Sequence, residues 1–220
     1  MKGSLRLEAI AKTAKQNNYY NVYDTCCDHG KLGLLVSSIY PKSKIVFVDT
    51  VLSIIEKLKR DPRFDNYELR CMPAESLKIQ GKSSLIIIAG VGGELASKII
   101  KGICDGNVSH ESFDFLVSPN NKSFLVRREL SSRGFKSVDE KIVTDNKLSY
   151  EIIYSRHLEG EAFDDIGKKA FDLSISSHQD FLRKKKDLYK VKSKYDPSML
   201  KLYGDYSELF DEYKGGSYSS

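Results

Sequence analysis

Residues 20–33, YNVYDTCCDHGKLG, restrict the fold of this chain more than any other stretch. Tyr20 to Thr25 is a short run of β-formers and aromatics, as a buried strand needs. After Asp24 the chain turns through Cys26-Cys27-Asp28-His29-Gly30 into Leu32, Leu34 and Leu35, which open a helical pattern. A strand that stops at an acid and turns tightly into a helix sets free backbone N–H groups beside a carboxylate. That is the nucleotide-binding corner of a doubly wound α/β domain.

A carboxylate without a lysine or a glycine-rich phosphate cradle suits a hydroxylated or cationic ligand better than a phosphate. The corner therefore favours S-adenosylmethionine over ATP or NAD. A second buried strand, Lys44 to Asp49, also ends in an acid. Asp49 follows Asp24 at close to the spacing with which a second-strand carboxylate grips ribose hydroxyls. It also stands where an N-cap would for a helix over 51–60, and both roles are compatible.

The other strands repeat the βα pattern. Tyr67 to Met72 is followed by Pro73-Ala74-Glu75, a third acid at a strand end. Ser84 to Ala89, SLIIIA, is the most hydrophobic run and the expected central strand. It empties into Gly90-Val91-Gly92-Gly93 and a helix over 94–101. Those glycines read either as a tight turn or as a place where backbone approaches a flat ligand. Phe113 to Ser118 ends at Pro119-Asn120-Asn121, and a helix over 123–133 carries Arg127 and Arg128. Residues 135–143 and 148–154, around Asp145-Asn146, form a hairpin. Five βα units closed by an antiparallel hairpin are the plan of a class I methyltransferase. A G-x-G-x-x-G after the first strand, the mark of a dinucleotide oxidoreductase, is missing.

A leading helix is expected over 4–16, with Ser4 as its cap. From residue 159 the character changes. Residues 161–194 carry spaced apolar positions among many charges and predict one extended amphipathic helix, with a second over 198–213. Residues 183–194, RKKKDLYKVKSK, hold seven basic residues against one acid. The run reads as a phosphate-tracking face or as a solvated helix side. The formal charge of +5 leans the same way as the first reading. The division expected is 1–158 for the Rossmann-like sheet and 159–220 for a helical, coiled-coil-like appendage.

Cys26, Cys27, Cys71 and Cys104 lack CxxC spacing, so neither a disulfide framework nor a metal site is expected. No leader pattern opens the chain and no apolar run approaches the ~18 residues of a membrane span. The expectation is a cytoplasmic protein without membrane contact, a monomer or weak homodimer.

Taken together, these pieces resemble the bacterial tRNA (adenine(22)-N1)-methyltransferase family of class I Rossmann-like enzymes. Its D-x-G-S-D-H-A motif is matched by Asp24-Thr25-Cys26-Cys27-Asp28-His29-Gly30 and its I-A-G-M-G-G by Ile88-Ala89-Gly90-Val91-Gly92-Gly93. Its Q-P-N is matched by Ser118-Pro119-Asn120, and its Y-E-I by Tyr150-Glu151-Ile152. Departures are Cys26 for the loop glycine, Cys27 for serine, Asp49 for glutamate, and Ala74-Glu75-Ser76 for G-D-G.

The resemblance implies methyl transfer from S-adenosylmethionine to N1 of an unpaired adenine in tRNA. It implies catalytic roles for Asp28 and Asn120. Cofactor contacts fall to Asp24, Cys26, Asp28, His29, Gly30, Asp49, Thr50, Glu75, Ala89 and Gly90. Substrate contacts fall to Gly92, Gly93, Arg127, Arg183, Lys184, Lys185 and Lys186. His29 is open as a proton acceptor or a structural histidine. Two other functions stay open: a binding module of the same fold with weakened catalysis, and a methyltransferase with a non-RNA acceptor.

Overall fold

The computed structural model describes residues 4–14, 18–79 and 83–216. The part of the expected leading helix beyond Ala14 lies outside them. In chain order the elements are α1 (Leu5–Ala14), β1 (Asn21–Thr25), α2 (Lys31–Ile39), β2 (Lys44–Asp49), α3 (Leu52–Lys59), β3 (Glu68–Cys71) and β4 (Ser84–Ala89). There follow α4 (Gly93–Gly106), β5 (Phe113–Ser118), α5 (Ser123–Ser132), β6 (Phe135–Asp145), β7 (Leu148–His157), α6 (Ser176–Lys192) and α7 (Leu200–Gly216).

The seven strands form one sheet in the order β3-β2-β1-β4-β5-β7-β6. Strands β1 to β5 are parallel, and β7 enters antiparallel between β5 and β6. Both faces are covered, so the central strands are apolar throughout and their alternate residues feed two cores. On one face Val22, Phe47, Leu85 and Ile87 pack with α1, α2 and α3 residues such as Ile10, Val36 and Ile55. On the other, Tyr23, Val48, Ile86 and Ile88 meet Ile99, Ile103, Val126 and Leu130 of α4 and α5. The chain crosses from β3 at the edge to β4 beside β1, which makes the carboxyl ends of β1 and β4 the topological switch point where such sheets open a crevice.

The C-terminal helices differ from the expectation. Residues 161–175 are not helical apart from a 3-10 turn, Lys168–Ala170, and α6 begins only at Ser176. Two local features stop the helix. Glu161 pairs with Ser137 of β6 through two 2.8 Å backbone hydrogen bonds. The Asp164 carboxylate then accepts from the N–H groups of Ile166, Gly167 and Lys168, an Asx-type turn that competes with helix. Gly167 has φ +66°, and a Cβ there would meet the Arg127 guanidinium. Helices α6 and α7 pack on one another through stacked Tyr189 and Tyr206, 5.4 Å between centroids, and on Phe124 of α5.

That packing is bolted by charge. Arg127, 1% exposed, lies 2.6 Å from Glu140 and 2.7 Å from Glu151, and Lys185 of α6 reaches Glu151 at 2.8 Å. Arg128 and Lys201 both meet Asp165, each at 2.9 Å. Burial alone would raise the Glu151 carboxyl, but Lys185 and Arg127 outweigh it and hold the group at about 2. Hydrogen bonding from Arg128, with Lys201 adding to it, holds Asp165 at about 2 against its own desolvation. Glu140 moves the other way, pushed up by burial against the pull of Arg127.

A depressed carboxyl contributes stability above its unfolded pKa and loses it as pH falls through the folded one. Urea melts at a series of pH values are therefore expected to show stability falling from the ordinary glutamate value of 4.5 towards about 2. Glu151→Gln should flatten that slope.

Candidate active site

Every strand-end acid expected from the sequence lies at the carboxyl edge of the sheet, but the acids do different work. Asp24, 2% exposed, turns its Oδ2 away from solvent to accept the Gly33 N–H of α2 at 2.8 Å. Burial, with Asp49 adding to it, pushes its carboxyl up to about 7 against the Gly33 hydrogen bond. Asp49, 9% exposed, accepts from the Asp28 N–H at 3.2 Å through Oδ2 and from the Val51 N–H at 3.0 Å through Oδ1. The cap of α3 is Val51 rather than Asp49; the two bonds hold Val51 at the entry to α3 and Asp28 in the turn after β1. A carboxylate has about four lone-pair sites, so acceptor capacity remains for a ligand. Glu75 sits on a 3-10 turn, Ala74–Ser76, and is engaged by Lys98 of α4 at 2.8 Å.

The turn after β1 keeps a glycine-like backbone without the glycine. Cys26 has φ +55° and Asp28 φ +46°, both left-handed, and Gly30 follows at +65°. Left-handed backbone costs a residue with a Cβ roughly 1 kcal/mol. Cys26→Gly is therefore expected to raise stability by about 0.5–1 kcal/mol in thermal melts, less the entropy glycine regains on unfolding. The Cys26 thiol is pushed up to about 11 by burial, with Asp49, Asp24 and Glu75 adding to it. It is therefore a neutral thiol at neutral pH rather than a nucleophile. The Asp28 side chain is exposed and lies 3.8 Å from the His29 imidazole. Thr50, also exposed, offers its carbonyl to the Cys71 thiol.

A crevice of about 200 Å³ opens here, lined by Arg6 and Leu7 of α1, by Asp24, Cys26, Asp28 and His29, and by Ala89 and Gly90. Gly90 has φ +83° with open space where a Cβ would stand. Beside it, the loops after β4 and β5 are zipped together. The Asn120 N–H donates to Val91 O at 2.7 Å, the Asn120 Nδ2 to Gly90 O at 2.6 Å, and the Gly93 N–H to Asn121 O at 3.0 Å. Gly93 is a packing glycine, since a Cβ on it would meet the carbonyls of Asn121 and Lys122. A Cβ on Gly92 would stand 3.2 Å from the Asn121 side-chain oxygen.

Beyond Asn120 runs a larger groove of about 600 Å³ between the 119–123 loop, the β6–β7 hairpin and α6. Its wall includes Tyr150, Phe181, Lys147, Lys184, Lys185 and Lys192. The basic residues expected to touch substrate separate on this point. Lys184 is exposed and faces the groove. Lys185 lines it but is committed to Glu151. Lys186 lies over the Phe210 ring at 3.7 Å, and Arg183 pairs with Asp180 at 3.3 Å. Arg127 is a correction: buried between Glu140 and Glu151, it is a structural cation with no access to a ligand. Arg6, which sequence reasoning passed over, stands at the junction of crevice and groove. No group of acidic, His or Cys side chains among the described residues could hold a metal, and no helix there is long and apolar enough to cross a membrane.

A parallel sheet closed by an antiparallel hairpin, with acids and an open glycine at the switch point, defines a Rossmann-like methyltransferase fold. The sequence profile of the family described as Methyltransferase domain matches residues 3–153, and the chain belongs to that family. No curated protein matches it in sequence.

Among solved structures the chain is similar to the B. subtilis M1A22 tRNA methyltransferase TrmK, at 20% identity and TM-score 0.69, over 96% of this chain and 98% of that one. It is also similar to M. capricolum TrmK in complex with S-adenosyl-homocysteine, at 14% identity and TM-score 0.73, over 97% and 99%. The ribosomal protein L11 methylase of Lactobacillus delbrueckii subsp. bulgaricus matches at 12% identity and TM-score 0.54, over 71% of this chain and 81% of that one. At these identities the likeness is one of fold.

Proposed function

We propose that the protein transfers a methyl group from S-adenosylmethionine to N1 of an adenine in tRNA. The observation that carries the reading is a pair of neighbouring cavities linked by the Arg6–Asn120 hydrogen bond: a crevice lined by Arg6, Asp28 and Gly90, and a lysine-lined groove bordered by Asn120. The nearly full-length likeness to the two TrmK structures supports it, since it extends over the C-terminal part of the chain, whose α6 forms one wall of the groove.

The residues present fit the cofactor. Asp49 has acceptor capacity for ribose hydroxyls, and exposed Val51 and Leu52 offer an apolar surface beside it. Gly90 leaves open space at the methionine end, and the neutral Cys26 thiol does not compete for the methyl group. A crevice of about 200 Å³ is smaller than the ~300–1,000 Å³ of small-molecule pockets. Asp49, Thr50 and Glu75, which lie outside the crevice lining, would hold the adenosine end. When bound, the cofactor supplies a sulfonium-activated methyl group.

The chain's own residues do the rest. Adenine N1 is a neutral nucleophile and needs no strong base, so orientation is the main catalytic contribution. Asn120 and the Gly90–Gly93 backbone hold the base, and the Asp28 carboxylate faces the positive charge that develops on the ring. Lys147, Lys184 and Lys192 attract phosphates along the groove. Residues 1–158 act as the cofactor-binding domain and residues 159–220 as the tRNA-facing one. The working unit on this reading is a cytoplasmic monomer or weak homodimer.

The test is incubation of the protein with S-adenosylmethionine and unmodified bulk tRNA, followed by nucleoside analysis. N1-methyladenosine formed by the wild type, and formed on the order of 10²-fold more slowly by Asn120→Ala, supports the reading. Methylation of a different nucleoside, or none, contradicts it.

A further inference from the structure

Arg6 is held by contacts that no helix-surface arginine needs. Ser4 and the Arg6 N–H, at the start of α1, are both fastened to the Asp145 carboxylate in the β6–β7 hairpin, at 2.6 and 3.4 Å. This carries the Arg6 side chain across the carboxyl ends of β4 and β5. There its Nε donates to Ser118 Oγ at 3.1 Å, its Nη2 to Ser118 O at 2.6 Å and its Nη1 to Asn120 Oδ1 at 2.9 Å. The guanidinium plane covers the Tyr150 ring at 3.9 Å. Arg6 lines the crevice, whereas Tyr150 and Asn120 line the groove. The Arg6–Tyr150 stack therefore lies where the two cavities adjoin.

The Asn120 amide is thereby gripped from both ends. Its oxygen accepts from Arg6, and its nitrogen donates to Gly90 O. A flipped amide would set NH₂ against a guanidinium donor and an oxygen against a carbonyl, so only one orientation satisfies both partners. Asparagine reads adenine by pairing its amide with N6 and N7, and that edge leaves N1 free.

We propose that Arg6 is a positioning residue for the acceptor base, acting through Asn120. It fixes which end of the Asn120 amide accepts and which donates, so that the amide meets the N6/N7 edge of adenine and N1 points at the methyl group. The inference rests on the methyl-transfer reading given above. Lysine cannot replace the fork, because a single ammonium does not bond Ser118 and Asn120 in one plane while covering Tyr150.

The test is a double-mutant cycle on tRNA methylation with Arg6→Ala, Asn120→Ala and the pair. Arg6→Lys is run in parallel, and melting temperature and S-adenosylhomocysteine affinity are measured for every variant. Each single substitution is expected to lower kcat on the order of 10²-fold. Arg6→Ala in the Asn120→Ala background should add less than about threefold, the signature of residues acting as one unit. Arg6→Lys should hold the melting temperature and the cofactor affinity near wild type yet recover little of kcat.

Penalties that multiply in the double variant would overturn the positioning role. So would an Arg6→Lys enzyme with wild-type kcat, or losses confined to cofactor affinity. A wild-type protein that methylates no tRNA would overturn the functional reading itself, and the inference with it.

Discussion

Glu151→Ala is expected to destabilise the protein by about 3–5 kcal/mol, the range for breaking a buried ion pair from one side. Glu151 is 2% exposed at its side chain and receives Lys185 at 2.8 Å, Arg127 at 2.7 Å and the Ser123 hydroxyl at 2.6 Å. Without it Lys185, 13% exposed, is left against the groove wall with no counter-ion, and Arg127 depends on Glu140 alone. Both cations lose more than a contact, because desolvated charge is left uncompensated. Lys44→Ala, which removes a 2.6 Å pair with Glu68 from a lysine that is mostly exposed, should cost no more than about 1 kcal/mol. Urea denaturation of the two variants gives the comparison. Similar small losses in both would mean that the buried cluster does not anchor α6.

Asn120→Ala is expected to lower kcat on the order of 10²-fold with cofactor affinity within about threefold of wild type, as for loss of one preorganised polar group. The amide makes two side-chain hydrogen bonds, from Arg6 at 2.9 Å and to Gly90 O at 2.6 Å, and it faces the groove. Asn120→Asp separates charge from shape. It keeps the acceptor for Arg6 but sets a carboxylate oxygen against the Gly90 carbonyl, so it should be no better than alanine. Single-turnover rates with saturating tRNA measure both. An aspartate variant near wild type would remove the amide donor from the account.

Strands β1, β2, β4 and β5 were legible because each is a short β-branched or aromatic run ending at a turn, and burial on both faces makes such runs continuous. The antiparallel ending was legible from Asp145-Asn146 between two strand-like runs. Residues 161–175 were not. Their apolar spacing fits a helix, and only the backbone pairing of Glu161 with Ser137 and the Asp164 turn redirect the chain. Asp-Asp-Ile-Gly at 164–167 was the available signal.

The site was half legible. Asp49 and Asn120 lie at the carboxyl ends of β2 and β5, as the strand boundaries read from the sequence imply, whereas Arg127 reads as a helix-surface base and is buried by glutamates that reach it from β6 and β7. Sequence distance hid Arg6 for the same reason: its partners Ser118 and Asn120 lie more than a hundred residues away. Cys26 looked like a lost glycine, yet its backbone holds the glycine conformation at φ +55°.

The most direct measurement is calorimetric titration of the wild type and Asp49→Ala with S-adenosylhomocysteine, with melting curves to show that both are folded. The account predicts micromolar binding by the wild type. It predicts loss of at least about tenfold in the variant, since hydrogen bonds to a charged group are each worth roughly 1.5–3 kcal/mol. A folded wild-type protein that binds no S-adenosylhomocysteine, or a variant that binds it equally well, would contradict the placement of the cofactor at the ends of β1, β2 and β4.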